Sequence, residues 1–281
     1  IGIGVAASKK VNNVSDYYVG GKNLNYWVAA LSARATGESG WLLLGVTGMG
    51  AVMGFSAFWI VLGEVLGVFL SWHFMAEKFK TLTDNYKSIT VPDFLHSHFN
   101  SKTNTIRIIA ATALSAFVVI YVSAQIDITG KAFESFLGYN YYFGILIGFG
   151  IVVAYIFSGG FLAVAWSDLF QGSIMFLALL VLPITAYLQL PNKMTFLQGL
   201  KDIDPALVNI WGDGGFTFMN FLSVIGLLSI GIGFLGSPQV YVRFIAIKNT
   251  QEIKKGKIVA VIYTLVSSSC AVMIGMIGRF M

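Results

Sequence analysis

Seven stretches of this chain, at about 24–52, 55–77, 104–129, 141–157, 160–188, 217–246 and 257–280, are apolar over lengths that a soluble domain does not need. A helix takes roughly 20 apolar residues to cross the hydrocarbon core of a bilayer, and only helices and closed barrels satisfy their own backbone there. Seven such runs commit the chain to an all-α polytopic membrane fold in contact with the lipid bilayer. Composition agrees, with 56% of the 281 residues hydrophobic and 11% charged, and a mean hydropathy of +0.76. Ile1 to Ser8 are too short to span and read as the end of a truncated helix. The last run finishes as the sequence stops at Met281, so the chain reads as a fragment of a longer, transporter-sized protein.

The net charge of +5 does not indicate nucleic acid, because the basic residues fall in the connections between apolar runs. Placing 9–23, 78–103 and 247–256 in the cytoplasm puts thirteen of the 18 Lys and Arg inside. Four (Lys131, Lys193, Lys201 and Arg279) then lie outside, and Arg34 lies within a span. That imbalance sets the topology and predicts a multi-pass protein of the cell's inner membrane. The lone Cys270 excludes an internal disulfide. His96 and His98, with no carboxylate or cysteine cluster beside them, read as a solvated surface pair. Val91–Leu95 predicts a short interfacial helix with Pro92 near its start, and Thr195–Leu200 a brief amphipathic one. Neither a catalytic triad nor a Walker-type phosphate loop is present, which argues against a hydrolase or an ATP-driven pump.

Two of the runs are interrupted. Ala35-Thr36-Gly37-Glu38-Ser39-Gly40-Trp41 carries two glycines, each weakening helix by about 1 kcal/mol relative to alanine, and hydroxyls able to serve freed backbone groups. Close packing would explain the glycines but not Glu38, and an ionisable group inside a span points to function. The second interruption, Gly231-Ile232-Gly233-Phe234-Leu235-Gly236-Ser237-Pro238, matches the dinucleotide pattern G-x-G-x-x-G only by coincidence, since no βαβ unit surrounds it. The first interrupted run goes outward and the second inward, five spans later. Paired broken helices in inverted copies point to the midplane binding site of a secondary transporter.

Severed helix ends offer carbonyl oxygens to a cation such as sodium and N–H groups to an anionic solute. Glu38 either ligates a cation, carries a proton or pairs with Arg34 one turn earlier. Glu64 either hydrogen-bonds a polar solute or is satisfied by a neighbouring helix. Tyr121 and Gln125, one turn apart with Ser123 and Asp127 nearby, form a polar stripe facing a cavity or another helix. Asp168, near Trp166 at the cytoplasmic start of its span, either guides a departing cation or caps the helix.

The runs Gly20-Gly21-Lys22-Asn23-Leu24, Ser39-Gly40-Trp41-Leu42-Leu43-Leu44-Gly45, Ser158-Gly159-Gly160-Phe161-Leu162-Ala163-Val164-Ala165-Trp166-Ser167-Asp168 and Gly236-Ser237-Pro238-Gln239, with Val242-Arg243-Phe244, occur in that order along the chain. Together they resemble the sodium:solute symporter family, above all its bacterial sodium/proline symporters. The resemblance implies a LeuT-type inverted-repeat fold, here incomplete, with seven full spans and the end of one. The first five-helix repeat would cover 24–188 and the first two helices of the second 217–281, all in one transmembrane domain. It also implies sodium-driven symport of a small polar solute, proline or a related amino acid first and a sugar second, by alternating access; a symporter-like sensor module of a signalling kinase is the alternative class. In the family, sodium takes backbone carbonyls at the positions of Ala35 and Glu38, and solute contacts fall on Ser39, Gly40, Trp41, Tyr121 and Pro238. This chain departs from proline carriers at Gly37, where they carry aspartate, and at Ile230 and Phe234, where they carry tryptophan and tyrosine.

Overall fold

The structure, a computed structural model, describes residues 2–190 and 196–281. The helices are α1 (Gly2–Ser8), α2 (Val14–Val19), α3 (Tyr26–Gly40), α4 (Thr47–Met53), α5 (Phe58–Leu70), α6 (Ala76–Asn85), α7 (Val91–His98), α8 (Thr105–Leu137), α9 (Tyr141–Leu188), α10 (Phe196–Ile203), α11 (Phe218–Ile232), α12 (Pro238–Ala246) and α13 (Thr250–Phe280). Among the described residues, five helical tracts are long and apolar enough to cross a membrane: Tyr26–Asn85, Thr105–Leu137, Tyr141–Leu188, Phe218–Gly236 and Thr250–Phe280. Two are too long for a single crossing. At 1.5 Å per residue, the 60 residues of the first would reach about 90 Å and the 48 of the third about 72 Å, against a hydrocarbon core of about 30 Å. Each contains a glycine in a backbone conformation that side chains avoid, Gly54 (φ 57, ψ −129) and Gly160 (φ 55, ψ −148). Dividing the tracts there gives the seven apolar runs of the sequence.

Several boundaries differ from the sequence reading, each for a local reason. After α5 the chain passes through a wide turn, Ser71–Met75, into α6, so 78–85 is helix and not loop. The polar residues of α6 hid this, yet it buries Phe79, Lys80 and Thr83 along one side. Helix α8 runs on to Leu137, where Gly138 ends it in the left-handed region (φ 68). The basic segment expected as loop up to residue 256 is helical from Thr250. Helix α7 starts as expected, with Pro92 in its first turn and the Thr90 hydroxyl accepting from the Asp93 amide at 3.2 Å. The amphipathic helix expected from Thr195 is α10; Thr195 itself lies outside the described residues.

The chain forms two compact units. The first comprises Ile1–Thr36, Phe74–Phe170 and Pro238–Gly256. Its predicted cytoplasmic segments are stitched together: the Leu24 amide donates to the Ala246 carbonyl at 3.0 Å, and the Lys248 amide to the Leu24 carbonyl at 2.9 Å. Lys22 and Lys80 both reach Asp84 Oδ1, at 3.0 Å each. The buried Lys80 ammonium also donates to the Ile245 carbonyl at 3.1 Å. These contacts pin the loop before α3 to α6 and α12.

The second unit comprises Gly37–His73, Gln171–Ser237 and Lys257–Met281. Its apolar core includes Leu42, Val46, Val61, Leu207, Val272 and Ile277. Helix α5 carries Gly63-x-x-x-Gly67, the small-residue spacing that lets two helices approach in a membrane. A Cβ on Gly67 would overlap the Gly231 carbonyl oxygen of α11, and one on Gly231 would overlap the Gly63 carbonyl. Gly231, expected as part of a helix break, is therefore helical and serves backbone contact; the break begins two residues later. A Cβ at Gly226, also on α11, meets nothing within 4 Å. Gly231→Ala is thus expected to lower the detergent melting temperature, whereas Gly226→Ala stays neutral or gains up to about 1 kcal/mol from helix propensity. The reverse ranking in a thermal melt would disprove the close α5–α11 contact.

Candidate functional site

Both interrupted helices are broken. In α3, Ser39 alone is non-helical (φ 37, ψ −148). This is a region nearly reserved for glycine, and a serine there costs on the order of 1–3 kcal/mol. The chain then enters a wide turn at Trp41–Val46. Sequence reasoning put the weak point on the glycines, yet the reversal falls on the residue between them and Gly40 is helical (φ −66, ψ −16). In the second break, a tight turn at Gly233–Gly236 leads to extended Ser237 (φ −73, ψ 110), and Pro238 opens α12. Proline at a first helical position sacrifices no hydrogen bond. Phe234 sits half-buried in the tight turn. At both breaks the chain passes from one unit to the other, at Thr36/Gly37 and Ser237/Pro238.

In the first unit, the functional residue that sequence reasoning missed is Arg243. Counted there as a topology-setting charge, it is in fact 5% exposed. Its Nη2 lies 3.0 Å from Asp168 Oδ2 and donates to Thr36 Oγ1 at 2.7 Å. Nε donates to Ser32 Oγ at 3.0 Å and Nη1 to the Gln239 carbonyl at 2.9 Å. Asp168 Oδ2 also accepts from Ser32 Oγ at 2.6 Å and Thr36 Oγ1 at 3.3 Å. Asp168 therefore does not cap a helix start: it lies inside α9 and joins α3 and α12 through an ion pair whose guanidinium fork is satisfied on every nitrogen. The available signal was position, since Arg243 falls one turn after Gln239, just inside the second break. Tyr121 donates to the Thr36 carbonyl at 2.9 Å, which supports α3 three residues before Ser39.

In the second unit, Glu38 and Glu64 are buried, 1% and 0% exposed. Glu38 Oε1 accepts from Ser267 Oγ at 2.8 Å. Glu64 Oε1 accepts from the Trp41 indole N–H at 2.9 Å, and Oε2 from Ser268 Oγ at 2.6 Å. Two consecutive serines of α13 thus serve carboxylates on two other elements. Neither had been singled out, although a run of three serines within an apolar span was the visible signal. Of the two readings of Glu64, satisfaction by neighbouring helices is the one these bonds support.

The expected polar stripe on α8 divides. Gln125 lines a mostly apolar cavity of about 350 Å³ with Val122, Thr129, Ile145 and Phe149. Ser123 bonds its own helix at the Ile120 carbonyl, and Asp127 takes Lys131 and the Tyr141 hydroxyl, both at 2.7 Å. Ala35 is half-buried in α3, as are Gly40 and Pro238 beside their breaks. Trp166 lies under the Lys10 ammonium, 4.8 Å from its ring centre, and His98 stacks on Phe94.

Carboxylates held within apolar spans by hydroxyls, an indole and a guanidinium, together with two broken membrane helices, define a polytopic protein of the secondary-transporter class. The chain belongs to the sodium:solute symporter family, whose sequence model matches residues 17–281. It is 37% identical over 277 residues to the High-affinity proline transporter PutP of Bacillus subtilis (strain 168), covering 98% of this chain and 58% of that one. It is 33% identical to the Osmoregulated proline transporter OpuE of the same organism, over 98% of this chain and 55% of the relative. Against a Sodium/proline symporter of Staphylococcus aureus it is 34% identical, over 95% and 51%. The chain therefore spans little more than half the length of these relatives. A solved substrate-bound, outward-open Na+-coupled sialic acid symporter superposes with a TM-score of 0.82 at 19% identity, over 99% of this chain and 57% of that one. The fold is accordingly the LeuT-type fold, and the chain is a multi-pass membrane protein of a transporter family, not an enzyme.

Removing one partner of a buried ion pair strands the other. Arg243→Leu is expected to cost about 3 kcal/mol, read as a lower detergent melting temperature. Arg243→Lys should recover only part, because an ammonium lacks the fork that reaches Ser32, Thr36 and Asp168 together. A leucine variant that melts with the parent would show that the pair holds nothing.

Proposed function

We propose that the complete protein is a sodium-coupled symporter of a small polar solute, with proline or a related amino acid as the substrate class, working by alternating access. The observation that carries this reading is the pair of helix breaks, at Ser39 and at Gly233–Ser237, in a chain of this family. The relatives named for proline transport support the substrate class. In this reading 24–188 is the first repeat and 217–281 the start of its inverted copy. Residues 9–23, 78–103 and 247–256 face the cytoplasm from the inner membrane.

Sodium takes the carbonyls of Ala35 and Glu38, because a hard cation prefers oxygen donors and a severed helix leaves them available. Ser39, Gly40 and Trp41 of the second unit receive the solute; the family resemblance also assigns solute contacts to Tyr121 and Pro238, and Phe234 is a further candidate. With no aspartate at Gly37, the freed N–H groups of the break suit the carboxylate of a zwitterionic solute. Gln125, on an apolar cavity, takes a secondary part. Asp168 serves first as a latch: its bond to Arg243 ties α12 to α3 and α9 within the first unit, and it becomes available to a departing cation when that bond opens.

Uptake by the full-length protein in proteoliposomes tests the proposal. A sodium gradient should drive accumulation of labelled proline or a related amino acid, and Gly40→Leu should abolish it by filling the pocket. Flux driven equally by protons would refute sodium coupling. Preference for sugars would move the substrate class while leaving the mechanism.

A further inference from the structure

We infer that Glu64 and Ser268 form a positioning pair that sets the orientation of the Trp41 indole, and that Glu64 itself does not touch the solute; this rests on the reading above, in which Trp41 is a solute contact. Three observations carry it. Both carboxylate oxygens are already taken by protein donors, Oε1 by the Trp41 N–H at 2.9 Å and Oε2 by Ser268 Oγ at 2.6 Å. Glu64 is 0% exposed, so a solute hydroxyl or ammonium would reach it only after the side chains packed around it had moved.

The second observation concerns the ring. A Cβ at Gly45 would overlap ring atoms of Trp41, so the indole lies along its own wide turn over a glycine that leaves room for it. Contact at Gly45 fixes the position of the ring and the N–H bond fixes its rotation. The third is location. Trp41 lies two residues beyond Ser39, the one residue where the backbone leaves helical geometry, so the periodicity of α3 no longer dictates where its side chain points. A tertiary anchor must supply that direction, and Glu64 on α5, braced by Ser268 on α13, supplies it.

A double-mutant cycle on solute affinity, in the full-length protein, separates this role from direct contact. Losing the anchor should raise the apparent KM for the transported amino acid about tenfold in Glu64→Ala, the size of one hydrogen bond, with the maximal rate and sodium dependence little changed. Glu64→Gln should restore most of the affinity, because its carbonyl still accepts the indole N–H and its amide donates to Ser268. In a Trp41→Phe background, which has no N–H to hold, Glu64→Ala should add less than about twofold. Should Glu64→Ala fail to reach the membrane, Ser268→Ala, which removes one hydroxyl, carries the same cycle with a smaller effect. A penalty for Glu64→Ala or Ser268→Ala that persists in full beside Trp41→Phe would overturn the positioning role. Parental affinity in Trp41→Phe alone would instead remove Trp41 from the solute site, and the proposed site with it.

Discussion

A helix that breaks inside a bilayer must find partners for its own backbone, because hydrocarbon offers none. This constraint organises the polar residues of the chain. Near the first break the Thr36 carbonyl takes the Tyr121 hydroxyl. At the second the Ser237 amide turns back to the Phe234 carbonyl, and Arg243 reaches the Gln239 carbonyl one turn into α12. Side chains that a hydropathy plot registers as interruptions are thus the groups that make interrupted helices affordable.

Three carboxylates lie within the apolar runs near the breaks, and they are stabilised in two ways. Asp168 has a guanidinium and two hydroxyls, an arrangement close to charge-neutral that stitches three helices of the first unit. Glu64 has an indole N–H and a hydroxyl, which orient it without cancelling its charge. Ionic partners hold elements together strongly but are costly to separate, whereas dipolar donors orient a carboxylate without tying it to a second charge. The first arrangement suits a latch, and the second suits a support for a binding side chain.

The spans were legible in the sequence because hydrocarbon imposes a length on every apolar run, and the breaks because Gly37, Gly40, Gly233 and Pro238 are poor helix formers. What was not legible depended on tertiary contact. The glycines located the first break only approximately, since Ser39 turns while Gly40 stays helical. Gly231 gave the same signal as Gly233, yet it is a contact surface for Gly63 and Gly67. Arg243 looked like a cytoplasmic charge because topology rules count cations without knowing their burial. Ser267 and Ser268 drew no attention in an apolar run, and only the placement of α13 shows which carboxylates they meet.

That placement bears on the least comfortable residue in the chain. Four non-glycine residues among those described have positive φ, and Ser39 is the one inside a membrane span; Lys22, Lys87 and Asn100 lie in connections. Backbone strain of this kind persists only where the surroundings over-determine it. Here the flanking residues are anchored on both sides: Glu38 to Ser267, and Trp41, through Glu64, to Ser268. Both anchors end on adjacent residues of α13, so the strained serine is clamped between two bonds that share one helix. Any shift of α13 against the segment 37–41 would load or release both at once, and the backbone most able to respond is Ser39. The conformation of the first break is therefore braced by α13, whose Ser267 lies 30 residues beyond Ser237 of the second break, and not by the glycines alone.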